Sequence, residues 1–313
     1  MAKDGKTKGI VLLAIGKRNY AEFAVNMAVG LKYHNKDIKI QLVYRPETIK
    51  YLQGFELDLF DVKTEISVEH TERNGKFSPG FAKIMLYDYF AFDENIYLDV
   101  DGLPVKDITP LFDECKKDIH SQFCRVYPIC AEKWECQWMT LQNTKKNFNL
   151  QPPSNIFEIN SSFIFVRKGD ISKDFYHSAL ANYSICEKLD KSEFGTSWGG
   201  TIPDEICFNP SFAQNDIDPR FEFSKDETVA SKCYPILFMD NGTRPPYPKL
   251  QQIAENQYLI GMYGGKDFTS NYFSDDYNGL YKNLCTKYWS AVFNKHCPYK
   301  PFNLMQDKHV HNK

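Results

Sequence analysis

The chain has little arginine, no long apolar run and no excess of basic charge. Only seven of its 38 basic residues are arginine, which leaves few side chains for bidentate contacts with phosphates or bases. With 40 acidic residues and a formal net charge of −2, the sequence provides no global positive field for nucleic-acid binding. No uninterrupted apolar stretch approaches the roughly 18 residues of a membrane span. The composition therefore predicts an ordinary globular protein without a membrane span.

The cysteines also lack a recognisable pattern. There are nine of them, an odd number, and none forms a CxxC pair. A zinc site built from Cys115, Cys124, Cys130 and Cys136 is disfavoured because their wide spacing lacks the close pairs of such sites. The first residues, MAKDGKTKG, have no apolar core of a signal peptide. We therefore expect a reducing, cytoplasmic setting. Since lysine-rich, arginine-poor usage suits an AT-rich genome such as that of many phages, this becomes the host cytoplasm if the source is viral.

Apolar strands and amphipathic helices alternate along the first hundred residues. Four short segments predict strands: KGIVLLAIG, IKIQLVY, TEISVEH and NIYLDV. The stretches between them predict helices: NYAEFAVNMAVGLKYHN, PETIKYLQGF closed by Gly54, and PGFAKIMLYDYFAF opening at Pro79. This alternation predicts an α/β fold with a mainly parallel central sheet flanked by helices.

Later segments are less regular. EINSSFIFVRKGD predicts a further strand, and residues 112–153 read as an aromatic, irregular insertion that covers substrate. The chain from Tyr272 onward is predicted to be helical and then frayed.

Two aspartates, Asp99 and Asp101, follow the apolar run NIYL. Residues i and i+2 of an extended segment project to one side, so both carboxylates can approach one site. Open α/β sheets bind ligands at the carboxyl ends of their strands. Two carboxylates there suit a hard divalent cation, which can in turn bridge a diphosphate. The alternative is that Asp101 and Gly102 only form a tight turn.

The order of elements and the YLDVD motif resemble the glycosyltransferases of GT-A (Rossmann-like) fold, in particular the glycogenin and bacterial galactosyltransferase family, glycosyltransferase family 8. The resemblance covers most of the first 270 residues. It implies a catalytic GT-A domain over residues 1–270 and a C-terminal helical extension and tail over residues 271–313.

The same resemblance assigns residues to a donor site. LLAIGKRNYAEFA is similar to the family's nucleotide pocket, so Ala14 and Tyr20 are expected to contact the base. FAKIMLYDYF places Lys83 before the metal strand, and Asp99 and Asp101 match the metal-binding aspartates. INSSFIF is similar to the strand that contacts the donor sugar, which implies a catalytic role for Asn160. PDEICFN implies the same for Asp204, with Glu205 where the family has Gln.

One departure concerns the third metal ligand. LIGMYGGK resembles the family's closing strand and supplies Lys266, but Gly261 stands where the metal-binding His aligns. KHCPYKPF resembles the His-containing ending only in part, because its spacing is short and it lies late in the chain. His296 is therefore a candidate metal ligand, with an ordinary surface histidine as the alternative.

The resemblance implies a transferase that uses Mn²⁺ or Mg²⁺ and a nucleotide-sugar donor, expected to be UDP-linked. It favours retention of anomeric configuration. A cation held by Asp99 and Asp101, with Lys83 and Lys266 nearby, suits stabilisation of the negative charge on the leaving diphosphate. The acceptor stays open between a glycan, a protein and a modified nucleobase in DNA.

Two other functions fit parts of the sequence. DVDG resembles the opening of haloacid dehalogenase-type phosphatases, with Asp99 as nucleophile, and GDISKD (Gly169–Asp174) resembles their later metal motif. Against it, three strand-helix units precede this motif. The other alternative is a sugar or protein binding module that retains a transferase-like fold without catalysis, which the missing histidine favours. A nucleotidyltransferase fits less well because AIGKRNY is not glycine-rich.

Overall fold

The fold is described from a computed structural model, which covers residues 5–128, 138–151, 155–194, 201–220, 233–236, 255–261 and 275–299. The strands are β1 (Lys8–Ala14), β2 (Ile40–Tyr44), β3 (Val62–Glu65), β4 (Glu72–Arg73), β5 (Lys76–Phe77), β6 (Glu94–Leu98), β7 (Gly102–Pro104), β8 (Ile119–Pro128), β9 (Asn155–Arg167), β10 (Cys233–Ile236) and β11 (Leu259–Gly261). The helices are α1 (Arg18–His34), α2 (Pro46–Ile49), α3 (Gly54–Leu57), α4 (Pro79–Ile84), α5 (Leu111–Glu114), α6 (Leu141–Phe148), α7 (Asp170–Cys186), α8 (Asp204–Gln214) and α9 (Asp275–Phe293).

A six-stranded sheet forms the centre, in the order β3-β2-β1-β6-β9-β8. Strands β3, β2, β1 and β6 are parallel neighbours, whereas β9 is antiparallel to both β6 and β8. The predicted α/β architecture with a mainly parallel central sheet is confirmed.

Alternation along β1 shows why the sheet is covered on both faces. Ile10 and Leu12 pack into one apolar cluster together with residues of α1 and α9. Val11 and Leu13 pack into a second cluster together with residues of α4, α7 and α8. Because successive strand residues point to opposite faces, a continuous apolar run gives each face its own core.

Three local predictions differ from the structure. PETIKYLQGF is not one helix closed by Gly54, since α2 ends at Ile49 and Gly54 begins α3. The reason is a cap: the Glu56 carboxylate accepts a hydrogen bond from the Gln53 amide at 2.7 Å, so a new helix starts there. TEISVEH is strand only as far as Glu65 and then turns into a short 3₁₀ helix at Val68–His70.

The third difference is the segment predicted to be an irregular insertion over residues 112–153. It contains β8, which is an edge strand of the central sheet, and the helix α6. Tertiary pairing with β9 therefore makes a strand of a sequence that lacked a clear period.

Helix α9 packs against α1 through a buried polar network that we call the α1–α9 seam, formed by Asn26, Tyr281 and Trp289. The Asn26 amide nitrogen donates to the Tyr281 hydroxyl at 3.0 Å. The Trp289 indole donates to the Asn26 amide oxygen at 2.8 Å. Each buried polar group of the seam thus has a partner, and α9 shares the core of β1. The division at residue 270 stays a prediction.

Within the part of the chain that the structure describes, no helix combines the length and the apolar character that crossing a membrane requires.

Candidate functional site

The carboxyl ends of β1 and β6 lie side by side at one edge of the central sheet. The register pairs Leu12 with Leu98, the last residue of β6, so Asp99 lies beside the end of β1. Ala14 closes β1 at the same edge. The Asp99 amide donates to the carbonyl of Ser162 on β9 at 2.9 Å, which fixes the backbone immediately after β6. This is the edge at which open α/β sheets bind their ligands.

Lys83 reaches this edge from α4. Its ammonium lies 2.9 Å from Asp99 Oδ1, 3.2 Å from Ser161 Oγ and 3.6 Å from Asp204 Oδ2. The side chain is only 14 % exposed. Burial disfavours the charged ammonium, but Asp204 and Asp99 outweigh burial and raise the pKa of Lys83 well above its usual range. Lys83 is therefore a buried, permanently charged group held between carboxylates.

Tyr97 orients the first aspartate of the motif. Its hydroxyl donates to Asp99 Oδ1 at 2.5 Å, as the shared side of residues i and i+2 allows. Burial, and then the Asp99 carboxylate, raise the pKa of Tyr97 well above its ordinary value. The hydroxyl consequently stays protonated and remains a donor to Asp99.

Two more acids, Asp204 and Glu205, lie in the first turn of α8. The helix follows Pro203, whose backbone is extended, and the helix N-terminus favours nearby negative charge. Close contact between α4 and the start of α8 is possible because residue 80 is glycine. A Cβ atom on Gly80 would lie 2.5 Å from the carbonyl oxygen of Ile202 and 3.0 Å from the Asp204 amide nitrogen. Gly80 thus lets Asp204 come within reach of Lys83.

Glu205 joins the same group through a hydroxyl. Ser161 Oγ donates to Glu205 Oε1 at 2.9 Å and accepts from Lys83 on its other side. Burial, and then the neighbouring Asp204, raise the pKa of the Glu205 carboxyl to about 7. We call Lys83, Asp99, Ser161, Asp204 and Glu205 the Lys83 cluster.

Asn160 lies next to the Lys83 cluster on β9. Its amide oxygen accepts a hydrogen bond from the Ser162 amide at 3.0 Å. The strand is further fixed by α8, since the Asn209 amide oxygen accepts from the Ile159 amide at 3.1 Å. Asn160 and Asp204, predicted to act on the sugar, are therefore carried by two elements that pack directly together.

Tyr20 lies in the first turns of α1 and is 39 % exposed. Burial raises the pKa of its hydroxyl, and Asp101 and then Asp99 raise it further. The start of α1 is thus within electrostatic reach of both aspartates. The predicted contact of Tyr20 with a base remains a prediction.

The chain after Asp101 forms a small second sheet, in the order β10-β11-β7. Gly102, the first residue of β7, pairs with Gly261 on antiparallel β11. The glycine that stands in place of the expected histidine therefore lies beside the residue that follows Asp101. Lys266, five positions further along, lies outside the described residues.

His296 is exposed in the segment that follows α9. Its neighbour Cys297 donates to the Asn26 amide oxygen at 3.5 Å, on the face of the sheet covered by α1. Among the residues described, no group of three or more His, Cys, Asp and Glu side chains is arranged to hold a metal ion. Metal ligation by Asp99, Asp101 and His296 stays a prediction. Of the four cysteines weighed for zinc, Cys115 is buried, Cys130 and Cys136 lie outside the described residues, and only the backbone of Cys124 is described.

The second motif of the phosphatase alternative lies at the other edge of the sheet. Gly169–Asp174 follows β9 at the end where Arg167 pairs with Glu94, the first residue of β6. Asp99 follows the opposite end of β6, five residues and about 17 Å away at the usual rise per strand residue. This geometry separates the two motifs that a phosphatase has to bring together.

Ser161 and Gly80 are site residues that the sequence did not reveal. The strand motif drew attention to Asn160, although it is the next residue, Ser161, that contacts Lys83. Strand alternation offered a signal, since a side chain facing Lys83 has to lie on one fixed face of β9. No local pattern distinguishes Gly80 from any other helix-start glycine.

Comparisons with known proteins place the fold. Neither a family model nor a curated protein matches this chain. Among solved structures, the apo structure of the bifunctional glycosyltransferase WbbM matches with a TM-score of 0.53 at 12 % identity, over 91 % of this chain and 50 % of that chain. The galactosyltransferase LgtC, with donor and acceptor sugar analogues, gives a TM-score of 0.47 at 15 % identity, over 89 % of this chain and 95 % of that chain. GlyE of Streptococcus pneumoniae TIGR4, in its apo form, gives a TM-score of 0.46 at 15 % identity, over 91 % of this chain and 64 % of that chain.

This chain thus spans half the length of the WbbM chain that it matches. At so low an identity the likeness concerns the fold alone, and the fold is one found in the glycosyltransferase WbbM. The expected GT-A architecture is confirmed.

Proposed function

We propose that this chain is a metal-dependent glycosyltransferase that moves a sugar from a UDP-linked donor to an acceptor, with retention of anomeric configuration. The observation that carries the proposal is the Lys83 cluster, which lies at the ligand-binding edge of a glycosyltransferase-type sheet. A buried ammonium among three acids with a strongly shifted carboxyl is typical of a functional site.

The acids at this edge fit a hard divalent cation. Asp99 and Asp101 are the residues that would hold Mn²⁺ or Mg²⁺, and both offer only oxygen atoms, which these ions prefer. Asp99 already accepts from Tyr97 and Lys83, but a carboxylate has about four lone-pair directions and can serve a cation as well. When bound, the cation would supply neutralisation of the donor diphosphate.

The chain's own residues would then divide the work of binding. Tyr97 holds the Asp99 carboxylate in one orientation, and Lys83 supplies positive charge beside it. Ala14 and Tyr20 would line the base pocket at the end of β1, and Lys266 would approach from the chain after β11. Asp204 and Asn160 would orient the sugar through its hydroxyl groups. Such preorganised groups need no rearrangement when charge develops on the leaving diphosphate.

The acceptor would be a glycan, a protein or a modified base in DNA.

The test is a screen of UDP-, GDP- and ADP-linked sugars for release of free nucleotide, with and without manganese. We expect release from a UDP-sugar that requires manganese or magnesium and is abolished by chelation. If phosphate esters are hydrolysed as fast as nucleotide sugars, and Asp99→Asn abolishes that hydrolysis, the phosphatase alternative is supported instead. Absence of release from every UDP-sugar, together with absence of UDP binding, would refute the proposal.

A further inference from the structure

Glu205 differs from the other two acids of the Lys83 cluster in how it meets the positive charge. Asp99 and Asp204 lie 2.9 Å and 3.6 Å from the Lys83 ammonium. Glu205 instead takes its hydrogen bond from the Ser161 hydroxyl at 2.9 Å. The Ser161 hydroxyl therefore bridges Lys83 and Glu205.

The Ser161 hydroxyl has one proton, and the protonation state of Glu205 determines the direction in which that proton is donated. With that proton donated to Glu205 Oε1, the serine oxygen is left to accept from Lys83 at 3.2 Å. An ionised Glu205 requires this orientation. A protonated Glu205 can donate as well as accept, so it releases the serine hydroxyl from that role.

The charge balance of the cluster acts in the same direction. Three carboxyl groups share one ammonium in a poorly solvated pocket, an arrangement that favours keeping one of them protonated. An ionised Glu205 adds a negative charge close to Lys83 and also helps to hold the ammonium inside the cluster. Both effects oppose the approach of an anionic diphosphate.

We propose that Glu205 is a positioning residue that acts on Lys83 through Ser161 and makes the affinity of this site for an anionic diphosphate donor fall as the pH rises through neutrality. The inference rests on the proposed function, which it extends by giving the donor site a proton-dependent control.

Other titratable groups face Glu205 from each neighbouring element. Asp204 and Cys207 on α8 and Lys83 on α4 interact with Glu205 electrostatically, while Asp99 and Tyr97 at the end of β6 and Tyr176 on α7 interact with Lys83 or Asp204. Burial and nearby carboxylates raise the pKa values of Tyr97 and Tyr176 far above neutrality. The pKa of Lys83 is likewise raised. Glu205 is the member of this group whose pKa is raised to about 7.

The binding experiment uses UDP-glucose with magnesium as the probe, titrated calorimetrically between pH 6 and pH 8.5. For the wild type we expect Kd to rise about tenfold across this range, as linkage to one proton allows. E205Q keeps an oxygen that accepts from Ser161 but cannot ionise, so its Kd should stay constant. S161A should reduce the rise of Kd with pH, because it removes the hydroxyl that links Glu205 to Lys83. D174N, a change in an exposed acid of α7, should follow the wild type.

A second measurement does not depend on the donor. The usual carboxyl pKa of 4.5 is raised to about 7 in the folded protein, so between these values the folded state holds a proton that the unfolded state has lost. Stability of the wild type, measured by urea unfolding, should therefore decline from pH 4.5 to 7 relative to E205Q. ¹³C NMR of the Glu205 carboxyl in the wild type gives the same information if E205Q does not fold.

These measurements separate the two hypotheses. If UDP-glucose fails to bind at any pH, the proposed function is wrong, and the unfolding curves still decide whether Glu205 holds a proton. Parallel unfolding curves for the wild type and E205Q, or a carboxyl that titrates below pH 5, would overturn the inference. So would equal pH dependence of UDP-glucose binding in both proteins.

Discussion

The α1–α9 seam and the Lys83 cluster are both buried polar networks, and they lie on opposite faces of β1. In the seam, an amide, a phenol and an indole satisfy one another with no charged group among them. In the Lys83 cluster, three acids compete for one ammonium and one serine hydroxyl. The seam is thus neutral and almost fully buried, whereas the Lys83 cluster is charged and keeps some exposure to solvent.

This contrast supports a structural role for the seam and, under the proposed function, a ligand-binding role for the Lys83 cluster. A fully satisfied neutral network recovers the cost of taking its polar groups out of water. A buried group of like charges does not, because desolvation and mutual repulsion exceed the gain from a single counter-ion. We therefore expect the Lys83 cluster to cost stability, and we attribute its arrangement to the proposed donor site.

The largest effect is expected from Lys83→Met, which removes the cluster's positive charge. The three acids then face one another in a poorly solvated pocket, and breaking a buried pair in this way costs about 3 to 5 kcal/mol. Urea unfolding should show this loss, and UDP binding should weaken strongly. Lys83→Arg, which keeps the charge, should recover much of the stability. If the unfolding free energy of Lys83→Met lies within about 1 kcal/mol of the wild-type value, Lys83 does not stabilise the three acids.

The seam should respond in the opposite way to Asn26→Ala. Tyr281 and Trp289 lose their partner while staying buried, which we expect to cost about 3 kcal/mol in unfolding free energy. Nucleotide affinity should stay unchanged, because the seam lies across the sheet from the Lys83 cluster. A double-mutant cycle with Trp289→Phe measures the coupling directly. If the Asn26→Ala protein is fully folded under the assay conditions and still loses nucleotide binding, the seam also serves the site and the proposed division of roles is wrong.

Gly80→Ala probes the packing that brings α8 to the Lys83 cluster. The added Cβ would meet the Ile202 carbonyl oxygen at 2.5 Å, so the start of α8 has to move. We expect a loss of about 1 to 3 kcal/mol, typical of overpacking, and a several-fold fall in turnover. Gly54→Ala is the matched control, since no atom lies within 4 Å of a Cβ there. If Gly80→Ala and Gly54→Ala have equal effects on stability and turnover, the close approach of α8 at Gly80 is not important for the site.

The smallest effect is expected from Asp174→Asn. This acid is exposed on α7, at the far edge of the sheet from Asp99. Its replacement should change stability by less than about 0.5 kcal/mol and leave sugar-nucleotide turnover at the wild-type rate. Loss of activity in this variant would revive the phosphatase alternative, in which this segment binds metal.

Local sequence patterns were sufficient to predict β1, β2, β6 and β9 of the central sheet and the position of Asp99, but not the edge strand β8. The runs that end at Ala14 and Leu98 are mostly apolar and almost entirely buried, as expected of strands covered on both faces. Lys83 and Asp204 were predicted only through the family resemblance, since neither has a local pattern of its own.

Other features depend on tertiary contacts that no local pattern encodes. Ser161 joins the Lys83 cluster because of the face of β9 that meets α4, and Gly80 matters because of the approach of α8. Asn26 and Tyr281 are 255 positions apart in the chain, so their hydrogen bond follows from packing alone. The break between α2 and α3 arises from one side-chain cap at Glu56, which competed with an otherwise helical pattern.

The central claim is that Asp99 and Asp101 bind a divalent cation together with a nucleotide diphosphate. Isothermal titration calorimetry of UDP, with and without manganese, tests it most directly when wild type and Asp101→Asn are compared. We predict that the wild type binds UDP only when manganese is present. Asp101→Asn should weaken this binding by about 100-fold or more, since changes outside the ligand shell already cost up to that factor. Unchanged manganese-dependent UDP binding in Asp101→Asn would contradict the account.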